Sequence, residues 1–94
     1  GFLSFLLLHE LRQRRGAGDD LAGRIGRRRG GAAPLTPGTI YPTLKKLRRA
    51  KFVKYTRFGR KKVYDLTPEG SKELARCYRL FGVYFAGLKN KVRK

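Results

Sequence analysis

Lys45, Lys46 and Arg49 fall close together in the chain, and Arg57, Arg60, Lys61 and Lys62 crowd around one glycine, Gly59. Long cationic side chains offer N–H donors and no acceptor, which suits phosphate oxygens and the O6 and N7 acceptors of guanine. Thr36, Thr39, Tyr41 and Pro42 open the segment "LTPGTIYPTLKKLRRAKFV", Leu35 to Val53, that carries the first three cations. Hydroxyls and free N–H groups at a helix start suit a phosphate oxygen; the competing roles are capping for the threonines and core packing for Tyr41. Arg27, Arg28 and Arg29 add non-specific phosphate contacts, and Phe58 either wedges against a base or packs locally.

No other chemistry is indicated. There is no Ser-His-Asp set, paired carboxylate or nucleophile–base arrangement, so no catalytic residue is assigned and no enzyme is expected. His9 lacks a second ligand at metal spacing and reads as an ordinary helix residue, so neither metal nor cofactor is expected. Cys77, alone in the chain, reads as a small core hydrophobe and allows no internal disulfide. Gly16, Gly18 and Gly23 imitate a dinucleotide fingerprint, but the third is misplaced and no strand is expected before them.

Composition points the same way as the cations. Twenty-four Lys and Arg against six Asp and Glu leave a formal charge of +18 over 94 residues, spread along the chain. Such a balance implies a polyanionic partner. With 40% hydrophobic residues, five Tyr and six Phe, the chain is too apolar for a disordered basic tail. The opening "GFLSFLLL" has no basic leader and is too short to span a bilayer, so it reads as a buried helix and the setting as cytoplasmic and nucleoid-associated. The chain begins without Met, which leaves room for residues upstream.

The elements that must position the cations follow from periodicity. A first helix over Phe2 to Arg15 is apolar on most of its circumference and needs two packing partners. "GAG" reads as a linker, Asp19 or Asp20 as the cap of a short second helix, and "GRRRGGAAP" as a loop. A third helix is capped either by Thr36, with Pro37 at its first position, or by Thr39, which places Pro42 in the first turn. Both readings put the prolines where an N–H has no intrahelical partner. Ile40, Leu44 and Leu47 then face inward, and Thr39, Pro42, Lys45, Lys46 and Arg49 outward. "FVKYTRFGRKKVYDL" reads as a hairpin turning at Gly59, with Tyr64 and Leu66 on one face. Thr67 and Pro68 open a last helix, in which Leu74, Tyr78, Phe81, Phe85, Leu88 and Val92 recur as a heptad seam suited to a partner helix.

Three helices followed by a hairpin with a basic tip describe a winged helix, a helix-turn-helix variant whose third helix enters the major groove. The fold class expected is mainly α with a small β-hairpin (α+β). "LTPGTIYPTLKKLRRAKFV" and, about a dozen residues later, "YDLTPEGSKEL" closely resemble the motifs of PadR-type transcriptional regulators. The resemblance covers nearly the whole chain. It implies a homodimer in which the C-terminal helix packs against the partner's N-terminal helix, and this accounts for the apolar first helix and the unclaimed seam. The dimer interface is accordingly assigned to Phe2, Phe5, Leu6, Leu74, Tyr78, Phe81, Phe85, Leu88 and Val92. Residues 1–66 are expected to form the DNA-binding domain and residues 67–94 the dimerisation helix.

The expected function is sequence-specific binding of double-stranded DNA as a transcriptional regulator, with the wing on backbone or minor groove. The charge also suits an abundant chromatin-like protein that coats DNA, or a basic RNA-binding protein associated with the ribosome. Membrane binding is not expected, because the cations do not form one long amphipathic surface. A small-molecule effector is possible but nothing in the residues indicates one.

Overall fold

The computed structural model describes residues 2–28 and 37–92, with side chains placed over 2–27 and 38–82. Its elements are α1 (Phe2–Gln13), β1 (Gly16–Ala17), α2 (Gly18–Arg28), α3 (Pro37–Arg49), β2 (Val53–Phe58), β3 (Lys61–Leu66) and α4 (Pro68–Val92). The strands form an antiparallel sheet in the order β1-β3-β2. The expected winged-helix order is therefore present, with one strand more than the hairpin supplies.

That strand is the segment read as a linker. Gly16 pairs with Tyr64 and Ala17 with Val63, so the end of α1 is stitched to the hairpin. Arg24 reinforces the junction from α2. Its guanidinium donates to the backbone carbonyls of Arg14 (3.0 Å), Glu10 (3.3 Å) and Arg15 (3.3 Å), and lies 4.0 Å from the buried Glu10 carboxylate. Burial pulls the Arg24 guanidinium below its ordinary pKa, and the Glu10 charge opposes that pull. Neither Asp19 nor Asp20 is the cap of α2: both fall in its first turn. Asp20 instead accepts from the Ala17 N–H at 3.4 Å, half of a capping box.

The helices enclose one core. Leu7, Leu8 and Leu11 of α1, Leu21 and Ile25 of α2, and Ile40, Leu44 and Leu47 of α3 meet Val53, Tyr64 and Leu74. The inward face expected for α3 is the one observed. Leu74 is a correction, because at 1% exposure it is enclosed by its own chain and has no surface for a partner helix. Cys77 is likewise not in the core; it lies half-buried along an open groove with Phe5, Phe52 and Phe81.

Pro42 is also a correction. α3 begins at Pro37, so Pro42 lies beyond the first turn and removes the N–H that would bond to the Gly38 carbonyl. Gly38 is exposed, which leaves that carbonyl open to water.

The end of α3 and the start of α4 are joined by caps. The Lys51 N–H donates to the Arg48 carbonyl and the Phe52 N–H to the Leu47 carbonyl, each at 2.9 Å, a Schellman pattern that closes α3. Its left-handed residue, Lys51 with φ of 67°, occupies a position that favours glycine. Lys51→Gly is expected to stabilise the fold by about 0.5–1 kcal/mol, read as a rise of about 3–6 °C in Tm. Across the junction, Thr67 caps α4 as expected: its hydroxyl accepts from the Gly70 N–H at 3.0 Å and donates to the Lys51 carbonyl at 2.6 Å.

Candidate nucleic-acid interface

α3 presents the polar face that its periodicity requires. Thr39, Tyr41, Pro42, Lys45, Lys46 and Arg49 are all exposed, while Ile40, Leu44 and Leu47 anchor the opposite side. Thr36 lies outside the described residues, as do the side chains of Arg28 and Arg29. Tyr41 is neither a core residue nor free-standing. It is 43% exposed, and its ring lies so close over Gly18 that a Cβ there would overlap it. Glycine at that position leaves room for the Tyr41 ring beside the start of α2.

In the hairpin, Arg57, Arg60 and Lys61 are exposed and Lys62 is half-buried. The register sets Arg57 directly opposite Lys62. Like charges facing each other across a strand pair destabilise a hairpin unless an anion lies between or beside them. Lys45, Lys46, Arg49, Arg57, Arg60, Lys61 and Lys62 have no carboxylate partner among the described residues. The ion pairs Arg24–Glu10 and Arg76–Glu73 belong to other parts of the chain.

Helix and hairpin meet in an open cleft of about 530 Å³, lined by Tyr41, Asp19, Ala17 and the tip residues Arg60, Lys61 and Lys62. The structure thus brings the Tyr41 hydroxyl to the same concavity as three wing cations. Four neighbours of this surface escaped the sequence reading. Arg48 and Tyr55 stack on each other, with the guanidinium carbon 5.3 Å from the ring centre. Arg15, between α1 and β1, approaches the exposed Phe58 ring at 5.7 Å, which answers how Phe58 is held: it packs against a cation of its own chain. Asp19 contributes a carboxylate to the cleft. Contacts between segments distant in the chain, which no local pattern reveals, bring these pairs together.

A second surface runs along α1 and α4. Phe5 packs edge-on against Phe81 (4.7 Å between centroids) and Tyr78 (5.8 Å). His9 is hydrogen-bonded through Nδ1 to the Tyr78 hydroxyl at 2.6 Å, and Arg12 lies over the Tyr78 ring. Tyr78 and Phe81 are therefore engaged first by their own α1. Phe5 and Leu6 are half-buried, and Phe2 is 66% exposed. Phe85, Leu88 and Val92 continue α4, with side chains outside the described residues.

Residues 7–76 of the chain match the family model described as the Transcriptional regulator PadR-like family. The chain belongs to that family. Among solved structures, PadR of Bacillus subtilis, determined in complex with operator DNA, is 31% identical with a TM-score of 0.69. The match covers 81% of the present chain and 46% of that protein. A PadR-like transcriptional regulator from Bacillus cereus shares the fold at a TM-score of 0.85 and 22% identity, over 100% of this chain and 94% of that one. A PadR family transcription regulator from Clostridium difficile does so at 0.78 and 21%, with both chains fully covered. A comparison with curated protein sequences gave no match. Within the PadR-like fold, α3 is the helix of the "TPGTIYP" motif and β2–β3 is the wing. No helix among the described residues is long and apolar enough to cross a membrane.

Proposed function

We propose that the chain is a transcriptional regulator that binds double-stranded DNA sequence-specifically as a homodimer. α3 enters the major groove, and the wing lies on the adjacent backbone or in the minor groove. The observation that carries this is the set of cations on α3 and the hairpin that have no carboxylate partner among the described residues, with Arg57 and Lys62 opposite each other in the strand register. The Bacillus subtilis relative crystallised with operator DNA supports the choice of ligand. Lys45, Lys46 and Arg49 are the groove-facing donors; Thr39 and Tyr41 stand near the helix start and Pro42 just beyond its first turn, and Thr36 precedes them in the sequence. Arg57, Arg60, Lys61 and Lys62 are the wing contacts.

The test is fluorescence anisotropy with a duplex from the upstream region, a randomised duplex pool and a structured RNA, at low and near-physiological salt. A tight complex with one duplex that survives the higher salt supports an operator-reading regulator. Equal affinity for every duplex with a steep salt slope replaces it with a DNA-coating protein, and preference for RNA overturns the reading.

In this reading residues 1–66 carry the DNA contacts and residues 67–94 the dimer contact, with Leu74 withdrawn from the interface. Phe2, Phe5, Leu6, Tyr78, Phe81, Phe85, Leu88 and Val92 remain assigned to it. Phe2 provides the cleanest probe, since its ring is mostly exposed in the single chain and stacks only loosely on Phe5, 6.0 Å between centroids. Phe2→Glu is expected to shift sedimentation from dimer toward monomer while leaving Tm, measured where the chain is monomeric, within a few degrees. An unchanged mass would remove Phe2 from the interface.

A further inference from the structure

Tyr55, in the middle of β2, collects two cations from different elements. The Arg48 guanidinium carbon stands 5.3 Å from its ring centre and the Lys62 Nζ 4.9 Å. Arg48 comes from the last turn of α3 and Lys62 from β3, so one ring ties the helix to the wing. A cation is drawn to an aromatic face by the ring quadrupole. The ring carries no net charge, however, so it places cations without neutralising them. Neither Arg48 nor Lys62 has a carboxylate partner among the described residues. Two like charges gathered on one ring gain most from an anion that both can reach.

The ring also meets a second tyrosine. Tyr55 is opposite Tyr64 in the strand register, with centroids 5.5 Å apart, and Tyr64 is buried. Burial raises the Tyr64 hydroxyl above its ordinary pKa, nearby Tyr41 adds to the rise, and the Arg48 charge opposes it. Arg48 therefore lies near both tyrosines, Tyr55 and Tyr64. Val53, on the same face of β2, is buried in the core.

The geometry points to a phosphate clamp in which Arg48 and Lys62 together grip one backbone phosphate of a duplex, with Tyr55 as the positioning residue that holds both. Arg48 supplies the planar fork and Lys62 the point charge. The inference rests on the DNA-binding reading above and adds to it a contact that spans helix and wing.

The experiment measures duplex binding by anisotropy across a series of salt concentrations, using the full chain. Wild type is compared with Tyr55→Phe, Tyr55→Leu, the double variant Arg48→Ala with Lys62→Ala, and the triple combination with Tyr55→Leu. Thermal melts confirm that each is folded at the assay temperature. Tyr55→Phe keeps the ring and is expected to keep the wild-type slope of log affinity against log salt. Tyr55→Leu and the double variant are each expected to flatten it by about one unit, the signature of one lost phosphate. Adding Tyr55→Leu to the double variant should flatten it no further. A wild-type slope in Tyr55→Leu, even with uniformly weaker binding, overturns the clamp, as does an unchanged slope in the double variant. If Tyr55→Leu does not fold, the double variant decides by the same criterion. Wild-type protein without salt-dependent duplex binding overturns the DNA reading itself and the clamp with it, which separates the two failures.

Discussion

Gly70→Ala is expected to destabilise the fold by about 3 kcal/mol, because the new methyl would be driven into the Phe52 carbonyl, a backbone group that cannot rotate away. The position lies where two caps meet: the Thr67 N–H donates to that same carbonyl at 3.1 Å, and the Gly70 N–H donates to Thr67 Oγ1 at 3.0 Å. Pushing α4 away from Phe52 loosens both bonds and the junction that connects α3 to α4. In a domain of this size the change should lower Tm by about 12–24 °C. Gly26→Ala is the matched control. It lies within α2 with open space where its Cβ would be, so the better helix propensity of alanine should raise stability by about 0.5–1 kcal/mol. Urea denaturation midpoints of the two variants should move in opposite directions; equal shifts would mean that the close approach at Phe52 is not what requires glycine.

Replacing Lys45, Lys46 and Arg49 together by Ala is expected to weaken duplex binding by about a thousandfold at 50 mM salt and to flatten the salt slope by nearly three units. Stability should stay within about 0.5 kcal/mol of wild type, since all three side chains are exposed and the core side of α3 is untouched. The single change Lys46→Ala divides base reading from backbone contact. Relaxed preference at particular base positions would assign it to a guanine edge, and uniform weakening over all sequences would assign it to a phosphate. An unaltered affinity in the triple variant would remove α3 from the interface and leave the wing to account for binding.

Local pattern carried much of this. The spacing of Ile40, Leu44 and Leu47 settled which side of α3 is buried, and therefore which side presents Lys45, Lys46 and Arg49. The Thr67–Pro68 pair marked the start of α4, because a hydroxyl cap and a donorless first residue act within a single turn. The motifs around Leu35–Val53 and Tyr64–Leu74 sufficed for the family. Where sequence reading went astray, the deciding contacts were long-range. Gly16 and Ala17 read as a linker, and only β3, more than forty residues away in the chain, makes them a strand. Pro42 was expected where its missing N–H costs nothing, and the start of α3 at Pro37 places it further in.

By itself, the amino-acid sequence determined the helix–hairpin order, the inward and outward faces of α3 and the basic tip of the hairpin, since each depends on residue type and short periodicity. The tertiary structure alone decided that Leu74 belongs to the chain's own core, that Tyr41 lies over Gly18, and that Arg48 and Lys62 converge on Tyr55. A heptad seam states which residues share a stripe but not what covers the stripe, and a cation's partner is set by the angle at which a helix crosses a strand. Both are properties of packing, in which distant segments compete for the same surface.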